Sequence, residues 1–127
     1  MTTDQNNDRL DNMYIQVNIG RNINNEPMVD ADWESFQNSC RAALYQSANG
    51  NFWSESPTGR KNREVFFDAV EYHHGSGTWE NVVEESCHIS VFWEYGFDLD
   101  NLRELLKDVK DYFGQDAIAL IIGSELI

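Results

Sequence analysis

Apolar and polar residues recur with regular periods along most of this chain, and the periods predict its secondary structure. Alternation indicates a strand with one buried face, and an apolar stripe every three to four residues indicates a helix. In Met13–Ile19 every second residue is apolar, which puts Tyr14 on the opposite, polar side. The predicted elements are, in order, a strand over Met13–Ile19, a helix over Asp30–Gln46, strands over Val65–Tyr72 and Cys87–Trp93, a helix over Phe97–Phe113 and a strand over Ala117–Ile122.

Local signals mark where these elements begin and end. Asp30 is a predicted N-cap, and Gly114 follows the second helix at the position that favours a left-handed residue. The glycine-rich run His73–Gly77 predicts the turn of a hairpin. Ala117–Ile122 is continuously apolar, which is typical of a central strand covered on both faces.

The order strand, helix, strand, strand, helix, strand predicts an α+β protein. Two right-handed crossovers give a ferredoxin-like βαββαβ fold, a four-stranded antiparallel sheet with two helices on one face. We expect a flexible N-terminal segment over residues 1–12 and a single domain over 13–127, with a loop insertion at about 47–63 anchored by Trp53. One face of the sheet is then left for function or for a second subunit.

Charge narrows the possible partners. The 127 residues carry 22 acidic and nine basic side chains, a net charge of −13. Such a field repels phosphate backbones and anionic membranes, so neither direct nucleic-acid binding nor membrane binding is expected. The polar N-terminus lacks the features of a signal peptide, and we expect a cytoplasmic protein.

The acids are concentrated in one window. Between Glu64 and Leu102 the sequence has nine carboxylates and no lysine or arginine, together with all three histidines and eight of the sixteen aromatic residues. Because these acids are interspersed with apolar residues, the window indicates a folded, negative, aromatic-rich surface rather than a disordered tail.

Short motifs in both halves resemble a family of small uncharacterised proteins encoded by bacteria and actinobacteriophages. In the first half they are Gly20-Arg21 and the run Val29–Phe36. In the second half they are Gly75–Trp79, Glu85-Ser86 and Tyr112–Gln115. The resemblance implies the βαββαβ fold and a phage origin. The family has no established activity, so the resemblance implies no reaction.

Catalytic, metal and cofactor motifs are weak. His73 and His74 are adjacent and would point to opposite sides of a strand, so they cannot bind one metal ion together. Cys40 and Cys87 have no metal-binding spacing and are expected to be buried, reduced thiols. We therefore expect no metal, no cofactor and no catalytic residues.

The candidate partner-binding residues combine aromatic and acidic side chains. If Ile89 and its alternating neighbours face the helices, the open side of the sheet carries an aromatic group, and carboxylates flank it. The predicted site comprises Tyr14, Tyr72, His88 and Phe92 with Asp68, Glu71, Glu84 and Glu85.

These observations favour a small acidic interaction protein without enzymatic activity. If the protein is encoded by a phage, we expect it to act in the host cytoplasm and to bind a basic host protein. Nucleic-acid mimicry is one way in which an acidic protein could bind such a partner. The alternative is a dimeric ferredoxin-like barrel, an enzyme or small-ligand binder that uses His88 and nearby carboxylates. Apolar residues on the open side also predict a homodimer.

Overall fold

The computed structural model of the chain describes residues 12–49 and 62–123. The predicted flexible segment, apart from Asn12, and residues 50–61 of the predicted loop around Trp53 lie outside the described residues. The elements are, in order, β1 (Met13–Gly20), β2 (Asn22–Ile23), β3 (Glu26–Pro27), α1 (Asp30–Ser47), α2 (Asn62–Ala69), β4 (Glu71–Trp79), β5 (Val82–Trp93), α3 (Leu99–Phe113) and β6 (Ala119–Gly123).

The main sheet has four strands in the order β4-β5-β1-β6, and every neighbouring pair is antiparallel. This order, with α1 and α3 as the crossovers, confirms the predicted ferredoxin-like fold. Strands β2 and β3 form a separate two-stranded hairpin between β1 and α1.

One side of the sheet and the inner stripes of the helices form the core. Ile15, Val17 and Ile89 are fully buried, as are Phe36 of α1 and Leu102 of α3. The alternation in β1 therefore predicted correctly which side is covered. Burying an aliphatic side chain of this size contributes about 1.5–3 kcal/mol, so this layer is the main source of stability.

Both cysteines lie in this core as free thiols, as the sequence predicted. Burial raises the pKa of the Cys40 thiol to about 12, with a smaller contribution from neighbouring Cys87. Burial likewise raises the pKa of Cys87 to about 11. Because the thiolate is the reactive form, both cysteines are poor nucleophiles at neutral pH.

The helices end close to the predicted positions, but Asp30 is not a cap and α3 begins at Leu99 rather than at Phe97. The N-cap of α1 is Val29, whose carbonyl accepts from the amide of Trp33, and Asp30 lies in the first turn. At α3 the carboxylate of Asp98 accepts from the amide of Asn101, and Gly114 has a left-handed φ of 72°. Glycine adopts that conformation without steric cost, so it ends the helix.

The strand predicted over Val65–Tyr72 is wrong. Residues 62–69 form helix α2, and β4 begins only at Glu71. Short apolar runs fit a helix or a strand equally well, and long-range contacts decide between them. Here Phe66 is fully buried and packs edge-on against Trp93, with 4.9 Å between the ring centroids.

The turn predicted over His73–Gly77 is also wrong, because these residues lie within β4. The hairpin turns at Glu80 and Asn81, whose φ angles of 50° and 67° are left-handed. Two consecutive left-handed residues make the turn that best fits the twist of a two-residue hairpin. Because β4 and β5 are longer than the predicted strands, the turn between them lies beyond the end of β1.

The last strand was predicted to be central, but β6 is an edge strand beside β1. Ile121 and Ile122 are 48% and 38% exposed. A continuous apolar run indicates burial on both faces only when other elements cover both faces. In this sheet α1 and α3 cover only one.

Candidate functional site

The open face of the sheet consists of three rows of side chains that point away from the helices. Cross-strand pairing sets the rows, because paired residues project to the same side. Tyr14 pairs with Phe92 and Gly123, Gln16 with Ser90 and Ile121, and Asn18 with His88 and Ala119. On β4, Glu71 pairs with Ser90 and His73 with His88, so both complete these rows.

The aromatic part of the open face lies where β1 and β5 pair. Tyr14 and Phe92 are direct cross-strand partners, and Phe92 is 40% exposed. Beside them is a hollow of about 260 Å³ that Glu71 and Ser90 also line. The structure therefore brings together Tyr14, Phe92 and Glu71 of the predicted site.

Two histidines occupy the polar row of the open face. The Nε2 atom of His73 lies 3.3 Å from a carboxylate oxygen of Glu71. The Nδ1 atom of His88 lies 3.5 Å from the side-chain nitrogen Nε2 of Gln16. His74 points to the other side, where its Nε2 atom lies 3.0 Å from the side-chain oxygen of Gln37. The described residues contain no group of three or more histidine, cysteine or carboxylate side chains that could hold a metal ion.

Tyr72 does not lie on the open face, contrary to the prediction. It pairs with the buried Ile89, so its ring points toward the helices and packs against the core. Burial raises the pKa of its phenol, and the charge of Arg41 opposes that rise. Asp68 lies on α2 and not on a strand of the sheet.

A second surface, at one end of the sheet, contains the other predicted acids. This hairpin end comprises residues 20–32, 80–85 and 110–117, that is, the β2–β3 hairpin, the first turn of α1, the β4–β5 turn and the end of α3 with the loop after it. The side-chain amide of Gln115 donates to the carbonyl of Asn22 at 3.1 Å. This contact joins the loop after α3 to the hairpin.

Arg21 holds the hairpin end together. Its guanidinium is only 13% exposed and lies 2.6 Å from Asp30 and 3.1 Å from Glu85. It also donates to the carbonyl of Met28 at 2.8 Å. One side chain thus links β5, the β2–β3 hairpin and α1, and the predicted site residue Glu85 belongs to this link.

Glu84 lines a polar hollow on the same end. Its carboxylate accepts from the backbone amide of Asn22 at 2.9 Å and lies against Gly20, where a β-carbon would collide with it. The hollow has a volume of about 510 Å³. Its lining consists of Gly20, Asn22, Asn24, Asn25, Val82, Glu84, Gln115, Asp116 and Ala117, which include two carboxylates and no cation.

The charges of the hairpin end are strongly unbalanced. Its three segments contain eight carboxylates and two cations, Arg21 and Lys110. Lys110 lies 2.9 Å from Asp111, so both cations are already paired with carboxylates of the same end. Within the described residues, no cation forms an ion pair with the five remaining carboxylates, Glu26, Asp32, Glu80, Glu84 and Asp116.

The sequence did not reveal the hairpin end as one surface. Only Glu84 and Glu85 of its acids belonged to the predicted site, and both lie where β5 extends beyond β1. Asn24-Asn25, with left-handed φ angles of 51° and 68°, was the available signal for a tight hairpin. The contact between this hairpin and the loop after α3 depends on tertiary structure.

Comparisons with known proteins support the fold. No known family profile matches the chain, and no curated protein matches it. Among solved structures, a phage SAM lyase in its apo state superposes with a TM-score of 0.54 at 12% identity, covering 89% of this chain and 80% of that chain. At 12% identity the similarity shows a shared α+β fold and no more.

Two further solved structures resemble the chain less closely. A phage SAM lyase in complex with S-methyl-5′-thioadenosine has a TM-score of 0.48 at 14% identity, covering 89% of this chain and 81% of that chain. A de novo designed protein, Foldit4, has a TM-score of 0.40 at 9% identity, covering 90% and 98%. None of the helices in the described part of the chain has the length and apolar character needed to cross a membrane.

Proposed function

We propose that this protein acts by binding a basic protein partner at the hairpin end. The observation that carries the proposal is the group of five carboxylates without a cation partner in the described residues, two of which line the 510 Å³ polar hollow. A lysine or arginine side chain entering this hollow would meet Glu84 and Asp116 with several amide oxygens. The surrounding acids would attract such a partner when it comes within about a Debye length of the surface, and they would orient its approach.

A phage origin fits this function. The fold is shared with a phage lyase, and a phage protein of net charge −13 that binds a basic host protein could act by nucleic-acid mimicry. The open face has a different role in this proposal. Its three rows contain one carboxylate, Glu71, beside exposed Phe92 and Ile121, so it is suited to pairing with a second copy of the chain.

The proposal is tested by neutralising equal numbers of acids at the two ends of the molecule. One variant combines Glu26→Gln, Asp32→Asn and Asp116→Asn at the hairpin end. The control combines Glu94→Gln, Asp100→Asn and Glu104→Gln, which are exposed acids that line neither hollow. Affinity capture from bacterial lysate at low salt should fall by about tenfold for the first variant only. An equal loss in both variants would mean that net charge, rather than this site, retains the partner.

A small-ligand function at the open face is the competing candidate. His88 lies beside His73, and the nearby hollow contains Glu71, Ser90 and the Tyr14–Phe92 pair. The volume of about 260 Å³ is below the ~300–1,000 Å³ of typical ligand sites. Thermal unfolding with S-adenosylmethionine and with S-methyl-5′-thioadenosine tests this function. A rise in midpoint that Phe92→Ser abolishes would favour it over a role in protein binding.

A further inference from the structure

Two hollows lie against the β2–β3 hairpin, and different types of residue line them. The polar hollow lies beside Asn22, and a smaller one of about 260 Å³ lies beside Ile23. Successive strand residues point to opposite sides, so the two hollows flank the same hairpin. Asn24 and Asn25, at the tip of the hairpin, line the polar hollow.

Hydrophobic and aromatic residues make up most of the lining of the smaller hollow. Ile23 and Met28 of the hairpin and Tyr112 and Phe113 of α3 line it, and Asp32 is its only charged lining residue. Tyr112 is 83% exposed, an unusual position for a large aromatic residue. An exposed aromatic group beside an apolar floor and a carboxylate is typical of an interface.

The wall of this hollow is held in place by the core. The Tyr112 ring packs edge-on against Phe113, with 5.0 Å between centroids, and the Phe113 ring lies 5.1 Å from Phe36. Phe36 is fully buried. A wall fixed in this way loses little conformational freedom when a partner binds, which favours affinity.

We propose that the smaller hollow receives one large apolar side chain of the basic partner, against Ile23, Met28 and Tyr112, and that lysine or arginine flanks this side chain in the partner's sequence. This inference rests on the proposed function and specifies the partner as a cationic segment with an apolar anchor. The volume suits a single leucine, methionine or phenylalanine side chain and is small for a separate ligand. The flanking cations would then lie near Asp32 on one side and near Glu84 and Asp116 on the other.

Two peptide probes separate the anchor from the charge. One consists of lysines and arginines around a central phenylalanine, and the other has serine at that position. By fluorescence anisotropy at low salt, the phenylalanine peptide should bind about tenfold more tightly. Tyr112→Ser should remove most of this preference without unfolding the protein, because the side chain is largely exposed. Ile122→Ser, which changes an apolar side chain that is 38% exposed and lines neither hollow, should leave the preference unchanged.

Other outcomes overturn the inference in distinguishable ways. Equal binding of both peptides would exclude the apolar anchor and leave the basic-partner function standing. A preference that persists in Tyr112→Ser would place the anchor outside this hollow. Failure of both peptides to bind at low salt would overturn the proposed function together with the inference.

Discussion

The hairpin end and the open face are both built on β1 and β5, yet they differ sharply in charge. The hairpin end has eight carboxylates and two cations, whereas the three rows of the open face have one carboxylate and two histidines. The net charge of −13 is therefore unevenly distributed over the surface. The net charge of the whole chain does not describe this difference between the two surfaces.

Because of this difference we propose different partners for the two surfaces. A like-charged copy is repelled by the hairpin end but can approach the open face, where Phe92 and Ile121 offer apolar area. A cationic partner gains most at the hairpin end, where five carboxylates lack a cation partner in the described residues.

The largest expected effect follows from placing a charge in the open face. We expect a dimer in wild-type protein and a monomer in Phe92→Glu, because a two-fold interface would bury the new carboxylate twice. The dissociation constant should rise by about a hundredfold or more. Light scattering at physiological salt measures the mass.

The matched control for this change is Val83→Glu. Val83 is 63% exposed and lies on the other side of β5, so Val83→Glu adds the same charge away from the open face. The dimer should persist in Val83→Glu. If the wild-type protein were a monomer at every salt concentration, the open face would not be a dimer interface. The same conclusion would follow if Phe92→Glu remained a dimer.

The stability of the hairpin end should depend on Arg21. Arg21→Ala removes two ion pairs and a bond to the carbonyl of Met28, from a side chain that is largely buried. We expect the free energy of unfolding to fall by about 2 kcal/mol in denaturant titrations. Arg103→Ala, whose exposed pair with Asp100 spans 3.7 Å, should cost less than about 0.5 kcal/mol. Equal losses would mean that Arg21 does not organise this end.

Salt should move the two kinds of association in opposite directions. Raising ionic strength screens the repulsion between two copies of charge −13, so the dimer should tighten severalfold. The same change should weaken binding of the cationic phenylalanine peptide severalfold, because that binding depends on attraction. Sedimentation and anisotropy measured over one salt series test both trends. Trends of the same sign would refute the division between the two surfaces.

The pattern of β1 was sufficient to predict the two sides of the sheet. Its alternation correctly identified Ile15 and Val17 as core and Tyr14 as open-face, and Phe92 followed by the same reasoning. Tyr72 was misplaced because the register of β4 depends on where its hairpin turns, and the true turn is at Glu80-Asn81. A one-residue change of register reverses every side chain, so an error in the turn becomes an error in the site.

The hairpin end was harder to predict for a different reason. Its acids come from three segments that are far apart in the chain, and only the tertiary structure brings them together. Arg21 illustrates this, since its partners Asp30 and Glu85 are nine and 64 residues away. Periodicity reports on local structure, and it contains no information about which distant loops meet.

The most direct test of the basic-partner function is to locate where a polycation binds. Titration of isotope-labelled protein with hexa-arginine, followed by amide NMR, reports every residue at once. We expect the largest shifts at Asn24, Asn25, Gln115 and Asp116, which line the polar hollow, and small shifts at Asn18 and Ser90 of the open face. Largest shifts on the open face, or shifts spread evenly over all exposed carboxylates, would contradict it.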